Sequence, residues 1–101
     1  MSTATRSTVL PDVPTIAEQG YPNYNLDGWL AVVGPGKLPA AETARVNAAF
    51  KAALDTPEVR AMMTAQGYTI NGGTPEAAQQ FFRAELAKHS RLVKQAGVKI
   101  D

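Results

Sequence analysis

The amino-acid sequence predicts an α/β fold in which three helices cover a small, incomplete sheet. Two observations predict the helices: apolar residues recur at helical spacing in three segments, and two of these segments begin with Thr-Pro-Glu. The sheet is predicted by an apolar run of strand length over residues 26–33. A chain of 101 residues has room for one core, so we interpret residues 1–101 as a single domain or a fragment.

The first element is a short helix predicted over about residues 14–19. Two prolines within residues 10–15 keep the chain before it out of the helical region, because proline fixes its own φ angle and restricts the preceding residue. Asp12 is in position to cap this helix. One start later, Thr15 and Glu18 have the spacing of a capping box, so the exact start remains open.

The second element is the predicted strand over about residues 26–33. It is apolar on both faces, which is typical of a strand inside a sheet that is covered on both sides. The one other strand-like stretch, residues 68–70, is short and supplies too few ladder partners. We therefore expect residues 26–33 to pair with another copy of the chain, with the rest of a larger protein, or with both. A solitary segment exposed to water, or a self-contained helical bundle, would count against this interpretation and against the function inferred from it below.

The remaining elements are helices predicted over about residues 39–54, 57–66 and 75–96. Each has an apolar stripe at helical spacing, which predicts packing on another element. The last two begin with threonine at the N-cap, proline at the first helical position and glutamate in the first turn. The stripes contain Val46, Phe50 and Leu54 in the first helix, Val59, Met62 and Met63 in the second, and Phe82, Leu86, His89 and Val93 in the third.

Composition excludes several classes of protein and site. Ten Lys and Arg against nine Asp and Glu give a net charge of +1, which disfavours nucleic acid as a partner. The chain has no cysteine and one histidine, so it offers neither a thiolate site nor a histidine-rich metal site. We expect no metal and no cofactor. No apolar run approaches the roughly 18 residues of a membrane span, and the N-terminus has no features of an export signal.

Candidate catalytic groups have structural explanations. Carboxylates at helix caps are common, and His89 with Glu85 four residues earlier lies on the apolar stripe, so we interpret it as a packed histidine. We therefore expect no catalytic residue and no enzyme, although chemistry shared between subunits is left open. The carboxylate pairs considered are Asp12 with Glu18 and Asp55 with Glu58.

Several motifs, taken in order, resemble the C-terminal third of the periplasmic solute receptors of tripartite tricarboxylate transporters, often called Bug-type receptors. The resemblance covers nearly the whole chain, and its most specific part is the Leu-Pro-Asp-Val-Pro-Thr block with its downstream Glu-x-Gly. The motifs are Leu10-Pro11-Asp12-Val13-Pro14-Thr15, Glu18-Gln19-Gly20, Gly28-Trp29-Leu30, Gly34-Pro35-Gly36-Lys37-Leu38-Pro39, Arg45-Val46-Asn47-Ala48-Ala49, Pro57-Glu58-Val59-Arg60, Gly67, Thr74-Pro75-Glu76 and Ala96-Gly97.

The resemblance implies the C-terminal part of a lobe of a type II periplasmic-binding-protein-like receptor. Such receptors hold a small organic carboxylate between two lobes and deliver it to the permease subunits of the transporter in the membrane. The N-terminal lobe and signal peptide of the family have no counterpart in the sequence, which implies that ligand binding requires the full two-lobed form. The resemblance also implies a periplasmic location.

Three residues at matching positions are candidates for lining the cleft or hinge: Pro14, Thr15 and Trp29. They make no catalytic or metal site. The alternative function is a small self-associating or partner-binding module that uses residues 26–33 and the helical faces, because an unpaired strand edge is a template for another chain. For this reason we expect a homo-oligomer or a missing N-terminal lobe.

Overall fold

In a computed structural model, residues 1–99 are described, and their regular structure is entirely helical. A short 3₁₀ turn, Ala17–Gln19, precedes three α-helices: α1, Ala40–Leu54; α2, Pro57–Ala65; and α3, Pro75–Gln95. Helix α1 contacts both α2 and α3. The sequence predicts these helices over 39–54, 57–66 and 75–96.

The helices end and begin by different local hydrogen bonds. At the end of α2, Tyr68 N donates to Met63 O at 2.9 Å and Gly67 N donates to Thr64 O at 2.9 Å, a Schellman motif. Gly67 occupies the left-handed region, with φ of 83°, which favours glycine. The same pattern recurs after α3, where Gly97 has φ of 66°. Helices α2 and α3 therefore end because a glycine permits their final carbonyls to be paired.

The two Thr-Pro-Glu starts are not equivalent. The Thr74 hydroxyl accepts a hydrogen bond from Ala77 N at 3.1 Å, so Thr74 caps α3. The Thr56 hydroxyl instead donates to Ala53 O at 2.8 Å and makes no cap bond to α2. Thr56 therefore occupies the N-cap position of α2, but its hydroxyl group hydrogen-bonds the end of α1.

The predicted α/β fold with a small sheet is wrong for the described residues. Within residues 1–99 there is no β-strand, and residues 26–33 and 68–70 have no regular secondary structure. A strand is defined by hydrogen bonds to a neighbouring strand, and within residues 1–99 the one backbone hydrogen bond of residues 26–33 is that from Leu26 N to Ser2 O at 2.8 Å. The segment has no neighbouring strand within residues 1–99 and its residues are exposed to water, which is the outcome that counts against a completed sheet.

The expected single core is also absent from residues 1–99. No apolar side chain there is buried, and the one buried residue is Thr15, which is 1% exposed. The accessible surface is 8377 Å², whereas a folded protein of this mass exposes about 5,500 Å². The radius of gyration is 16.6 Å, against roughly 13 Å for a compact domain of this length. The helices are therefore arranged around one another without enclosing a hydrophobic interior.

Candidate functional site

Trp29 lies against the first half of α3 in an aromatic cluster. Its ring centroid is 5.4 Å from that of Phe81 and 5.1 Å from that of Phe82, and both pairs meet edge to face at 82°. This is a favoured geometry for aromatic rings, because the positive edge of one ring meets the negative face of another. Adjacent phenylalanines at the same end of α3 thus hold the otherwise irregular segment 26–33 at Trp29.

Glu85, one helical turn further along α3, makes a second attachment. Trp29 Nε1 donates to Glu85 Oε2 at 3.3 Å, and Lys88 Nζ lies 2.6 Å from Glu85 Oε1. Lys88 Nζ also donates to the backbone oxygen of Asn25 at 3.4 Å. The hydrogen bond from Lys88, followed by that from Trp29, lowers the pKa of Glu85 below its ordinary value, against the opposing effect of desolvation. One ion pair on α3 therefore holds both ends of the segment 25–29.

His89 is not the packed histidine that the sequence predicts, because its side chain is 48% exposed. Its Nδ1 lies 2.9 Å from the backbone oxygen of Glu85 and 3.6 Å from Glu85 Oε2. A protonated Nδ1 donates to that backbone oxygen within its own helix. His89 therefore lies close to Trp29 but takes no part in the hydrogen bond that attaches Trp29 to α3.

A groove of about 450 Å³, open to solvent, runs between residues 27–29 and α3. Its carboxylates are those of Asp27 and Glu85, and the Lys88 ammonium group is paired with Glu85. Negative charge at this position disfavours an anionic ligand, since like charges repel. The lining residues are Asp27, Gly28, Trp29, Phe82, Glu85, Leu86 and His89.

Thr15, the second candidate, is buried in a capping box. Thr15 N donates to Glu18 Oε2 at 2.7 Å, and Glu18 N donates to Thr15 Oγ1 at 3.1 Å. Arg6 Nε lies 3.0 Å from Glu18 Oε2. The hydrogen bonds from Arg6 and then from the Thr15 backbone lower the pKa of Glu18. Of the two starts that the sequence left open, the structure has the Thr15–Glu18 box.

Pro14, the third candidate, is partly buried next to Thr15, and its backbone oxygen accepts a hydrogen bond from Met1 N at 3.0 Å. Neither Pro14 nor Thr15 lines the groove at Trp29. The two regions are connected through the first residues of the chain, because Ile16 N donates to Met1 O and Leu26 N donates to Ser2 O. The structure therefore places the three candidates in two separate local sites.

Sequence reasoning did not identify Glu85 and Lys88 as the residues that bind the Trp29 segment. Glu85 was considered only as a partner of His89. The signal was present in the spacing, because Phe81 and Phe82 lie four and three residues before Glu85, and Lys88 lies three residues after it, at the spacings of neighbours on a helix surface. What the sequence does not show is that Trp29, 56 positions from Glu85, lies on that face.

Two further properties of the described part of the chain bear on function. None of the helices within residues 1–99 combines the length and the apolar character needed to cross a membrane. Over the same residues, no three His, Asp or Glu side chains gather into a cluster that could hold a metal ion.

This chain is similar to one protein family and to several known proteins. Residues 1–98 match the family model TctC, described as the tripartite tricarboxylate transporter family receptor. Protein BugT of Bordetella pertussis is 33% identical over 95 residues, which are 94% of this chain and 29% of BugT. A UPF0065 protein in the TAR-I ttuE-ttuC' intergenic region of Agrobacterium vitis is 33% identical over 100 residues, 96% of this chain and 29% of that protein.

A third relative, a UPF0065 protein in the tcbD-tcbE intergenic region of Pseudomonas sp. strain P51, is 33% identical over 89 residues. These cover 87% of this chain and 26% of the relative. The chain therefore spans less than a third of the length of these three relatives. Because the family match includes residues 1–98, this chain belongs to the tripartite tricarboxylate transporter receptor family.

Proposed function

We propose that this chain forms part of a solute receptor that binds small organic carboxylates in its full-length, two-lobed form. The observation that carries the proposal is the family match over residues 1–98. We place the receptor in the periplasm, with the membrane permease subunits of the transporter as its partners. It acts by binding and delivery rather than by catalysis.

The charges of the described residues support a requirement for the rest of a receptor. A carboxylate is normally held by cationic side chains, backbone N–H groups or both, in a concave site that excludes water. The groove at Trp29 is open and contains Asp27 and Glu85, and Lys88 is occupied by Glu85. Hydrogen-bond donors from a second lobe would therefore have to bind the anion.

Trp29 is the residue we assign to the ligand cleft. Its ring is attached to α3 through Phe81, Phe82 and Glu85, yet the side chain remains 41% exposed. A fixed ring with one accessible side is suited to cover the hydrocarbon part of a bound carboxylate when two lobes close.

Pro14 and Thr15 we assign to the hinge rather than to ligand contact. The backbone N–H and the hydroxyl oxygen of Thr15 are both engaged by Glu18, and the side chain is buried. A residue engaged in this way holds a turn in one conformation and has little capacity to bind a solute. The Thr15–Glu18 box would thus mark the fixed end of the hinge about which the two lobes move.

Calorimetric titration with a panel of dicarboxylates and tricarboxylates tests the proposal. The isolated chain should show no saturable binding. A chimera that joins residues 1–98 to the preceding two thirds of BugT should bind at least one member of the panel. Saturable binding by the isolated chain would contradict the need for two lobes, and a folded chimera that binds none would contradict the assignment to carboxylates.

A matched pair of variants in the chimera tests the assignment of Trp29. Trp29→Ala should weaken binding, whereas Tyr21→Ala, which removes an exposed aromatic ring outside the groove, should leave affinity unchanged. Equal affinities for the two variants would contradict a place for Trp29 in the cleft.

A further inference from the structure

The ion pair between Glu85 and Lys88 is the most shielded charged pair in the part of the chain that the structure describes. The side chain of Glu85 is 13% exposed and that of Lys88 is 23% exposed. In every other pair of a carboxylate with lysine or arginine within residues 1–99, both side chains are at least 44% exposed. Shielded charges interact more strongly than exposed ones, because less water screens them.

Both oxygens of the Glu85 carboxylate are engaged, and each has a different partner. Oε1 lies 2.6 Å from Lys88 Nζ, which holds the carboxylate in one orientation. Oε2 accepts the hydrogen bond from Trp29 Nε1 at 3.3 Å. An indole ring has a single N–H donor, so this bond sets the direction in which the ring points. The edge-to-face contacts with Phe81 and Phe82 hold the ring in place without selecting where its N–H is directed.

We propose that Glu85 is a positioning residue for solute binding: its carboxylate, held by Lys88, fixes the Trp29 ring in the cleft before the solute binds. This inference rests on the proposed function, in which Trp29 covers the hydrocarbon part of a carboxylate. A ring that is already fixed loses less conformational freedom on binding, so affinity is higher. Lys88 Nζ also donates to the backbone oxygen of Asn25 at 3.4 Å, so the same pair holds the backbone just before Trp29.

The negative charge of Glu85 makes the expected direction of the effect diagnostic. A carboxylate beside the cleft repels an anionic solute, so removal of Glu85 would strengthen binding if the side chain acted only through its charge. If Glu85 acts by positioning Trp29, its removal weakens binding instead. The sign of the change in affinity therefore separates the two roles.

Emission from Trp29, the single tryptophan, measures the positioning directly in the 101-residue chain. Glu85→Ala should lower the fluorescence anisotropy of Trp29 and make the ring more accessible to quenching by acrylamide. Glu42→Ala is the matched control, since Glu42 is paired with Arg45 at the same spacing of three residues but on α1, outside the Trp29 cluster. It should leave both readouts unchanged, and circular dichroism should show equal helix content in all three proteins.

Titration of the chimera with the same panel of dicarboxylates and tricarboxylates tests the consequence for binding. Glu85→Ala should weaken affinity by about fivefold, whereas Glu42→Ala should leave it unchanged. In a Trp29→Phe background, which keeps an aromatic ring but has no N–H donor, Glu85→Ala should change affinity by less than about twofold. The two effects differ because the Glu85 carboxylate then has no indole to orient.

The outcomes distinguish this inference from the proposed function. A folded chimera that binds no member of the panel contradicts the proposed function and this inference with it. An unchanged Trp29 signal in Glu85→Ala overturns the inference alone. So does a chimera that binds a solute with an affinity that Glu85→Ala leaves unchanged, raises, or lowers equally in the Trp29 and Trp29→Phe backgrounds.

Discussion

Residues 26–33 and helix α3 differ in where their backbone hydrogen-bonding groups find partners. In α3 the N–H and C=O groups pair within the helix, Thr74 caps one end, and the Gly97 turn closes the other. In residues 27–33 the same groups have no partner within residues 1–99. Both segments are rich in apolar side chains, so hydrophobicity does not account for the difference.

The comparison teaches that the backbone groups of a helix are paired within the helix itself, whereas those of a strand must be paired by a neighbouring strand. Helix α3 keeps its form although none of its residues is buried. Residues 26–33 have the composition of an interior strand and yet remain irregular, because no second strand within residues 1–99 pairs with them. The two segments meet at Trp29, where side chains make the attachment that backbone groups do not.

The largest expected effect distinguishes the two segments by the same substitution. Ala84→Pro removes a hydrogen bond inside α3 and introduces a ring clash, which costs about 3 kcal/mol in a helix interior. Ala31→Pro removes no intrachain hydrogen bond. Circular dichroism should show a marked loss of helix for Ala84→Pro and none for Ala31→Pro.

Ala84→Ser serves as the control for side-chain change at the same position and should retain the helix content. A loss of helix on Ala31→Pro equal to that on Ala84→Pro would mean that residues 26–33 hold structure that the helices require. The contrast between self-completed and partner-dependent segments would then be wrong.

A smaller effect should separate the two threonines that share the same motif. Thr74→Ala removes the cap bond to Ala77 N and should lower the free energy of unfolding by about 1 kcal/mol. Thr56→Ala should cost less, because the Thr56 hydroxyl makes no cap bond to α2 and donates to the partly exposed end of α1. Urea denaturation followed by circular dichroism measures both, and Thr74→Ser should restore the stability. Equal losses at the two positions would remove the distinction.

The smallest expected effect concerns pH at the junction of the two segments. The pKa of Glu85 lies below its ordinary value of 4.5, chiefly because Lys88 hydrogen-bonds the carboxylate. The attachment therefore contributes stability above the ordinary pKa and loses it as pH falls through the lowered value. Emission from Trp29, the single tryptophan, should shift over that acidic range.

Glu85→Gln should remove this pH dependence, because the amide does not titrate. Lys88→Met should move the transition to higher pH, since the group that lowers the pKa is gone. The pKa values of Glu18 and Asp55 are also lowered, by Arg6 and by Arg60, but these carboxylates lie outside the Trp29 cluster. An unchanged transition in Glu85→Gln would show that Glu85 is not its source.

The helices could be placed from sequence because their signals are local. Thr74 and Pro75 mark the start of α3, and Gly97 follows its end, all within a few residues of the hydrogen bonds they serve. The sheet could not be predicted correctly from the apolar run over 26–33. Such a run is typical of a buried strand, but it does not indicate whether another strand is close enough to form hydrogen bonds with it.

The candidate site was predictable in part for the same reason. The Thr15–Glu18 box was readable because its members are three residues apart. Trp29 was chosen from its motif, but its attachment to Glu85 spans 56 positions and required the folded chain. The interpretation of His89 as packed failed because α3 has no hydrophobic interior beside it.

The order of side chains along residues 1–98 by itself determined that this chain is a member of the receptor family, and it determined where the helices lie. Only the tertiary structure decided that residues 26–33 form no strand, that no core is enclosed within residues 1–99, and that Trp29 is held by α3. The physical reason is range: caps and helical hydrogen bonds join residues a few positions apart, whereas ladders, cores and the Trp29–Glu85 contact require distant segments to meet.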